Sequence, residues 1–304
     1  MAETPQPAIP PMVTSTHRTN QPLRVVVVGA GGTGGRLIPP LMQVLRRGDT
    51  VAIVDGDHVE DRNLARQNFR SRDIGVNKAE VMAARYRREG IAVEAYASML
   101  TETNASHILA GTDRNVGGRI VLGCVDNWRA RRLMDTLTRS AGNRLWIDGG
   151  NERRGGQVLL SATTWPFKVK GPNTRASGGV HEATGNWSIP GLQTAMPQLL
   201  DAQSWHCHRC NVDNEWTRET CKKCKQTEES CRDRIDLQTV AVNQMSATCI
   251  MNALANVLYQ VPFSCAGAFF STLNTMSPIK LASVNWDRLS VLPETTYAGI
   301  GTAE

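Results

Sequence analysis

Aromatic side chains and long apolar segments are both scarce in this chain of 304 residues. Aromatics make up only 5% of it, and no stretch approaches the roughly 18 to 20 uncharged apolar residues that a membrane span needs. Residues 1–24 lack the apolar core of a signal peptide. We therefore expect a cytoplasmic protein with no membrane partner.

The chain also lacks a strong excess of one charge. Its 34 Lys and Arg stand against 28 Asp and Glu, and the basic residues are spread along the chain instead of forming a tail. This balance permits anionic ligands without identifying one. Hydrophobic residues make up 41%, an ordinary globular content that excludes a chain disordered throughout, a coiled coil and a collagen.

Short β-branched runs alternate with helical patterns in the first half of the chain. Such alternation is typical of an α/β fold with a parallel sheet. We predict a doubly wound, mostly parallel Rossmann-like sheet with helices on both faces. Its strands are predicted over 23–29, 50–55, 93–96, 119–125 and 145–149, and its helices over 37–45, 78–88 and 128–140.

The second half of the chain has a different composition. The stretch that follows 156–161 is rich in Gly, Pro, Asn and Trp as far as about residue 201. It is too long for a plain loop in a compact domain, so we expect a crossover or lid segment. A long helix over 237–259 and an antiparallel extension with strands over 268–273 and 278–281 are predicted to follow. The predicted parts are thus a Pro-rich disordered tail (1–22), a core (23–165), a crossover segment (166–235) and a C-terminal part that completes the core (236–304).

A glycine-rich turn follows the first predicted strand: residues 29–35 read GAGGTGG. Backbone N–H groups without a blocking Cβ can approach phosphate oxygens there, at the positive end of the helix dipole. Asp55 ends the next strand, where a carboxylate commonly accepts the ribose hydroxyls. ATP and NAD both satisfy this pattern, so an NAD-dependent oxidoreductase stays open. The predicted nucleotide-binding residues are Gly29, Gly31, Gly32, Gly34 and Asp55.

Three further segments resemble the adenylating enzymes of the ThiF, MoeB and ubiquitin-activating superfamily. Residues 55–67 follow D-x-D-x-V-x-x-x-N-L-x-R-Q, residues 73–78 follow D-x-G-x-x-K, and residues 124–131 follow C-x-D-N-x-x-x-R. The resemblance implies a nucleotide-binding adenylation core over 23–165. It also implies an enzyme that uses ATP to adenylate the C-terminal carboxylate of a ubiquitin-like or sulfur-carrier protein ending in glycine.

The resemblance assigns roles to several of these residues. Attack of a carboxylate on the α-phosphorus of ATP brings anions together, so the site must supply cations and a metal. Arg66 and Lys78 would be the cations, and Asp126 would hold Mg²⁺ with Asn127 beside it. Asn63 and Gln67 would fix phosphate or ribose positions, and Asp55 would bind the ribose.

The same resemblance implies a homodimer. In this superfamily an arginine before the first strand usually reaches across the dimer interface to the partner's nucleotide. Arg18 and Arg24 are the two arginines near that place, and they stand in a different sequence context.

Four of the eight cysteines lie within residues 205–224 as two C-x-x-C pairs. Four thiolates at this spacing predict a closed, structural zinc site in a reducing compartment. With Trp205 and Asn214, the segment resembles the small Ran-binding-protein-type zinc finger, whose relatives bind ubiquitin or single-stranded RNA. A nucleic-acid-binding zinc protein is therefore an alternative, although nucleic acid is not the expected partner. The predicted zinc ligands are Cys207, Cys210, Cys221 and Cys224.

Cys231 lies just before the predicted long helix, where the resemblance implies an acceptor cysteine. Arg232 and Arg234 would favour its thiolate, the form that attacks an acyl-adenylate. The expected product is a thioester that a conjugating enzyme receives; in the sulfur-carrier alternative, Cys231 carries persulfide chemistry. Residues from 230 onward, with VNQ at 242–244, resemble the bacterial ThiF-like proteins encoded with PRTRC systems.

Metal analysis of the purified protein tests the predicted finger. We expect about one zinc per chain, because the four cysteines form one closed site. Cys207→Ser should lose that zinc, whereas Cys249→Ser, outside the finger, should keep it. A folded wild-type protein without zinc would contradict the prediction.

Overall fold

A computed structural model shows an α/β protein built on one large sheet. It describes residues 21–111, 116–140, 144–151, 155–171, 181–189, 204–207, 212–215, 222–225, 240–259, 265–271 and 280–283. The strands are β1 (Leu23–Val28), β2 (Thr50–Val54), β3 (Ala92–Tyr96), β4 (Gly118–Gly123), β5 (Arg144–Asn151), β6 (Gly155–Gly171), β7 (His181–Ile189), β8 (Ser204–Cys207), β9 (Val212–Glu215), β10 (Cys265–Ser271) and β11 (Lys280–Ser283). The helices are α1 (Gly34–Val44), α2 (Lys78–Arg85), α3 (Glu102–Ala110), α4 (Trp128–Arg139) and α5 (Val240–Leu258).

Nine strands form the large sheet in the order β11-β10-β6-β5-β4-β1-β2-β3, with β7 paired to β6. Strands β1 to β5 are parallel, whereas β6, β7, β10 and β11 pair antiparallel. The predicted Rossmann-like half is confirmed, but the sheet as a whole is mixed and not mostly parallel. Every residue of β1 and β2 is buried, which explains why these strands are apolar except for Arg24 and Thr50.

The helices cover both faces of the sheet, as predicted. On one face, buried residues of α1, α2 and α5 share a core with β1, β2, β4 and β5. On the other face, Ile108 and Leu109 of α3 and Met134 of α4 pack with Val26 and Trp146 of the sheet. The resulting three layers leave the ends of the strands open, which is where α/β proteins place their sites.

Helix α1 runs through two prolines, Pro39 and Pro40. A proline inside a helix removes an N–H, so the carbonyl four residues earlier loses its partner. For Pro39 that carbonyl belongs to Gly35, and it accepts a hydrogen bond from Nδ2 of Asn68 at 3.1 Å instead. A side chain outside the helix therefore replaces the missing bond.

Two parts of the fold differ from the prediction. Helix α3 was not predicted, although Ala105, Ile108 and Leu109 form an apolar stripe at helical spacing and are buried. The stretch expected to be a crossover from residue 166 is at first a long hairpin, because β6 continues to Gly171 and pairs with β7. The sheet thus extends much further than the composition indicated.

Several predictions fall largely outside the described residues. These are the tail (residues 1–20 of 1–22), Cys210, Cys221, Cys231 and the end of the chain from residue 284. The backbone of the predicted finger is described in part: β8 and β9 form an antiparallel hairpin that pairs Cys207 with Val212. Zinc itself stays a prediction. Among the described helices, none is long and apolar enough to cross a membrane.

Arg24 is buried, with 1% of its area exposed. Its Nη1 and Nη2 donate to the carboxylate of Glu94 at 3.2 and 2.8 Å, and Nη2 also donates to the carbonyl of Ile108. Because a guanidinium held in this way cannot extend into a partner subunit, Arg24 is excluded as the cross-subunit arginine. Arg18 lies outside the described residues.

Candidate functional site

A cavity of about 370 Å³ opens at the carboxyl ends of β1 to β5. The strand order reverses between β1 and β4, and this switch point is where open α/β sheets form a crevice. Nine of the eleven predicted nucleotide-binding residues line the cavity: Gly29, Gly31, Gly32, Asp55, Asn63, Arg66, Lys78, Asp126 and Asn127. Gly34 and Gln67 do not line it.

The glycines of the turn are needed chiefly because neighbouring groups come very close. Gly29 has a φ of +94°, and a Cβ there would lie 2.6 Å from the carbonyl oxygen of Cys124. A Cβ on Gly34 would overlap the carbonyl oxygen of Gly29. A Cβ on Gly32 would lie 2.6 Å from Nδ2 of Asn243. Only Gly31 has room, with Gln67 at 3.7 Å.

The Asp55 carboxylate supports the glycine turn. Its Oδ2 accepts from the Ala30 N–H at 2.7 Å, and its Oδ1 accepts from the Asp57 N–H at 2.8 Å. Burial raises the pKa of Asp55, and the charge of Lys78 partly opposes that effect. Since each carboxylate oxygen can accept more than one hydrogen bond, Asp55 can hold the turn and still accept a ribose hydroxyl.

Lys78 begins α2 and is buried, with 6% of its area exposed. Its Nζ pairs with Oδ2 of Asp57 at 3.1 Å, so the ammonium is already neutralised before any ligand binds. Asn77 fixes this arrangement: its Nδ2 donates to the carbonyls of Asp55 and Asp57, while its Oδ1 caps α2. The segment from β2 to α2 is thereby tied together below the cavity.

Asn63 ends a short 3-10 helix (Asp61–Asn63), and Arg66 and Gln67 lie in the turn that follows it. Oδ1 of Asn63 accepts from the Glu60 N–H at 2.9 Å, so this amide oxygen shapes the segment. The Arg66 carbonyl accepts from Arg36 of α1 at 3.0 Å, and the Gln67 amide packs against Gly31. Gln67 therefore supports the glycine turn from below, whereas Asn63 and Arg66 reach the cavity.

Asp126 and Asn127 follow β4, and both are exposed. Oδ1 of Asn127 accepts from the Ala130 N–H at 2.8 Å and caps α4. Arg131, the last residue of the third motif, pairs with the buried Asp148 at 3.0 Å and donates to the carbonyl of Val125 at 2.7 Å. Arg131 thus anchors the loop that presents the Asp126 carboxylate to the cavity.

The charges around the cavity balance. Among the described lining residues, the four basic side chains are Arg62, Arg66, Lys78 and Arg129, and the four acidic ones are Asp55, Asp57, Glu60 and Asp126. A triphosphate carries several negative charges, so a formally neutral pocket needs further cations to bind it. The exposed Asp126 carboxylate fits this need, because Mg²⁺ in nucleotide sites is commonly held by one or two carboxylates together with phosphates.

Several lining residues were not predicted. Asn151 at the end of β5 and Asn243 in the first turn of α5 lie at one end of the cavity, and Ser98, Met99 and Leu100 lie at the other. Met99 is 52% exposed, which offers an apolar surface to a ligand. Asn151 follows the strand predicted over 145–149, and this position places it at the carboxyl ends of the strands, where the cavity lies. Nothing in the sequence near Asn243 indicates the cavity.

The profile of the ThiF family matches residues 10–294. The SAMP-activating enzyme E1 of Haloferax volcanii is 37% identical over 122 residues, which cover 39% of this chain and 42% of that protein. The adenylyltransferase and sulfurtransferase uba4 of Aspergillus fumigatus is 34% identical over 142 residues, covering 45% of this chain and 27% of that one.

Among solved structures, that of PaaA is similar with a TM-score of 0.50 and 15% identity, covering 85% of this chain and 63% of that one. At this identity the similarity concerns the fold alone. The matches also span less than half the length of the two relatives above.

Two alanine substitutions test the packing of the glycine turn. Gly34→Ala should lower the free energy of unfolding by about 3 kcal/mol, because the new methyl group would overlap the Gly29 carbonyl. Gly31→Ala is the matched control and should stay within about 1 kcal/mol of the wild type. Urea unfolding measures both, and equal stabilities would contradict the close packing.

Proposed function

The chain belongs to the ThiF family, and from this we propose that it is an ATP-dependent activating enzyme that adenylates the C-terminal carboxylate of a ubiquitin-like protein. The observation that supports the proposal is that segments distant in the sequence meet at one cavity. Residues from the glycine turn and from the three further motifs, spread between positions 29 and 127, line one cavity at the switch point of the sheet. A cavity of this size matches a small-molecule site.

The proposed reaction is a displacement at the α-phosphorus of ATP. A carboxylate oxygen of the carrier forms a bond to this phosphorus while the bond to the bridging oxygen of the β-phosphate breaks, and pyrophosphate leaves with that electron pair. Arg66 and Lys78 would stabilise charge on the phosphates, and Asp55 would orient the ribose. Holding both substrates in line supplies much of the acceleration.

Asp126 would hold Mg²⁺, which when bound neutralises charge on the phosphates. The neutral charge balance of the lining residues supports this role. Lys78 contributes less free charge than its sequence position suggests, because Asp57 already pairs with it. The approach of a triphosphate therefore depends on positive charge beyond the described lining, from the metal and, in a homodimer, from an arginine of the partner.

In the second step we propose that the Cys231 thiolate attacks the acyl carbonyl, forms a thioester and releases AMP. Burial raises the pKa of the Cys124 and Cys249 thiols, so neither of these cysteines is suited to be the nucleophile. The thioester would pass to a conjugating enzyme. The finger over 205–224 would bind zinc, and the PRTRC-type resemblance supports a bacterial ThiF-like subfamily.

A second candidate is adenylation of a sulfur-carrier protein, with persulfide chemistry at Cys231. The similarity to the Aspergillus protein, whose name includes both adenylyltransferase and sulfurtransferase, favours this candidate. The two candidates share the first step and differ only in the product, a thioester or a thiocarboxylate.

The first step is tested by exchange of labelled pyrophosphate into ATP in the presence of the carrier. The carrier can be identified by capture with the Cys231→Ala protein and ATP, followed by mass spectrometry.

Asp126→Asn should reduce the exchange rate at least about 100-fold, since removing one electrostatic contact in a transition state costs this much. Glu89→Gln is the control, because Glu89 is exposed and precedes β3, at the amino ends of the strands and away from the cavity. Retained exchange in Asp126→Asn would remove the proposed metal role.

The second step is tested by a thiol-sensitive adduct between the enzyme and the carrier. Cys231→Ala should keep the full rate of pyrophosphate exchange and lose the adduct, because adenylation takes place before the Cys231 thiolate attacks. Cys249→Ala is the matched control and should keep both. An adduct that persists in Cys231→Ala, seen on a non-reducing gel, would place the nucleophile elsewhere.

A further inference from the structure

Three uncharged polar side chains form a cluster at the end of the cavity beside β5. Nδ2 of Asn151 donates to Oγ1 of Thr33 at 2.6 Å and to Oδ1 of Asn243 at 2.8 Å. Oγ1 of Thr33 also lies 3.4 Å from Oδ1 of Asn243 and donates to it. The cluster joins the glycine turn, the end of β5 and the first turn of α5, and all three residues line the cavity.

In the structure, Oδ1 of Asn243 is the atom that accepts from Asn151 and Thr33. Nδ2 is therefore on the opposite side of the amide. Nδ2 lies against Gly32, close to the N-terminus of α1. Asn243 is 1% exposed, and within the described part of the chain its Nδ2 has no hydrogen-bond partner.

An unpaired buried donor destabilises a folded protein, so such groups are rare unless a ligand completes them. The glycine at position 32 strengthens this conclusion, because any other residue there would displace the amide. The turn is therefore shaped around Asn243. Because Nδ2 is itself buried and lies against Gly32, a small rotation of the Asn243 side chain would bring its N–H groups to an acceptor oxygen of a molecule bound in the cavity.

The position of the cluster indicates which substrate it contacts. Asp55 follows β2, and the charge of Lys78 acts on its carboxylate. Arg66 is a second cation that lines the cavity. Asn151 ends β5, two strands away from β1 in the opposite direction, a separation of roughly 10 Å. A nucleotide with its ribose at Asp55 and its phosphates toward the cations leaves the β5 end for the group bonded to the α-phosphate.

We infer that Nδ2 of Asn243 donates to the acyl oxygen of the carrier's last residue, with Asn151 and Thr33 as positioning residues. This inference rests on the proposed function, since it assigns the carrier side of the same cavity. The cluster carries no charge, which suits an oxygen that is anionic in the free carboxylate and neutral in the acyl-adenylate.

The test uses two probes that differ in the acyl group. One is 5′-O-(N-glycylsulfamoyl)adenosine, a stable analogue of glycyl-adenylate, and the other is AMP. Calorimetry on the full-length protein measures both affinities for the wild type, Asn243→Ala and the matched control Gln244→Ala, whose side chain is exposed on the same helix. In Asn243→Ala, we expect about tenfold or greater weakening for the glycyl analogue and less than about twofold for AMP, since one hydrogen bond to the acyl oxygen is lost. Gln244→Ala should bind both probes like the wild type.

Three other results would overturn the inference. Equal weakening of both probes in Asn243→Ala would assign Asn243 to the nucleotide or to the fold. Unchanged affinity for the glycyl analogue would show that the amide does not contact the acyl group. A wild type that binds neither probe would refute the proposed function itself, which separates that failure from the first two. If Asn243→Ala does not fold, Asn243→Leu removes the donor at a similar volume and without adding a charge, and the same expectations apply.

Discussion

The site depends on how closely the backbone of the glycine turn packs against its neighbours. The turn follows β1. Its Gly29 lies against the Cys124 carbonyl after β4, its Gly34 lies against the Gly29 carbonyl, and its Gly32 lies against Asn243 of α5. None of these contacts has room for a Cβ. The glycine turn can therefore pack closely against its neighbours, including α5, only because these positions have no side chain. The cavity depends on this close packing of the turn between β1 and α1.

Polar side chains fix the loops around this turn. Asp55 accepts from the turn and from its own loop, and Asn77 ties the β2 end to the start of α2. On the other side, Arg131 holds the loop after β4 through the Asp148 pair and the Val125 carbonyl. Some motif residues thus line the cavity, and others hold the lining residues in position.

The parallel half of the fold and most of the candidate site follow from local sequence. The central strands are short, mainly apolar and β-branched, the glycine turn has a distinctive composition, and the spacing of Asp55, Arg66, Lys78 and Asp126 belongs to a family pattern. Other features depend on contacts between distant segments. The length of β6 depends on pairing with β7, and the place of Asn243 depends on α5 packing beside α1, neither of which local periodicity reveals. Gly34 shows another limit of prediction from sequence. The glycine-rich composition suggests that Gly34 contacts phosphate, whereas the structure shows that a glycine is needed there for packing against the Gly29 carbonyl.

The central claim is that this cavity consumes ATP as the reagent that activates a carboxylate. A crystal structure of the protein soaked with MgATP and NAD together tests it most directly. The account predicts ATP with its ribose at Asp55, its phosphates between the glycine turn, Arg66 and Lys78, and a metal ion at Asp126. Nicotinamide bound beside the glycine turn, or a nucleotide whose phosphates lie away from Arg66, Lys78 and Asp126, would contradict it.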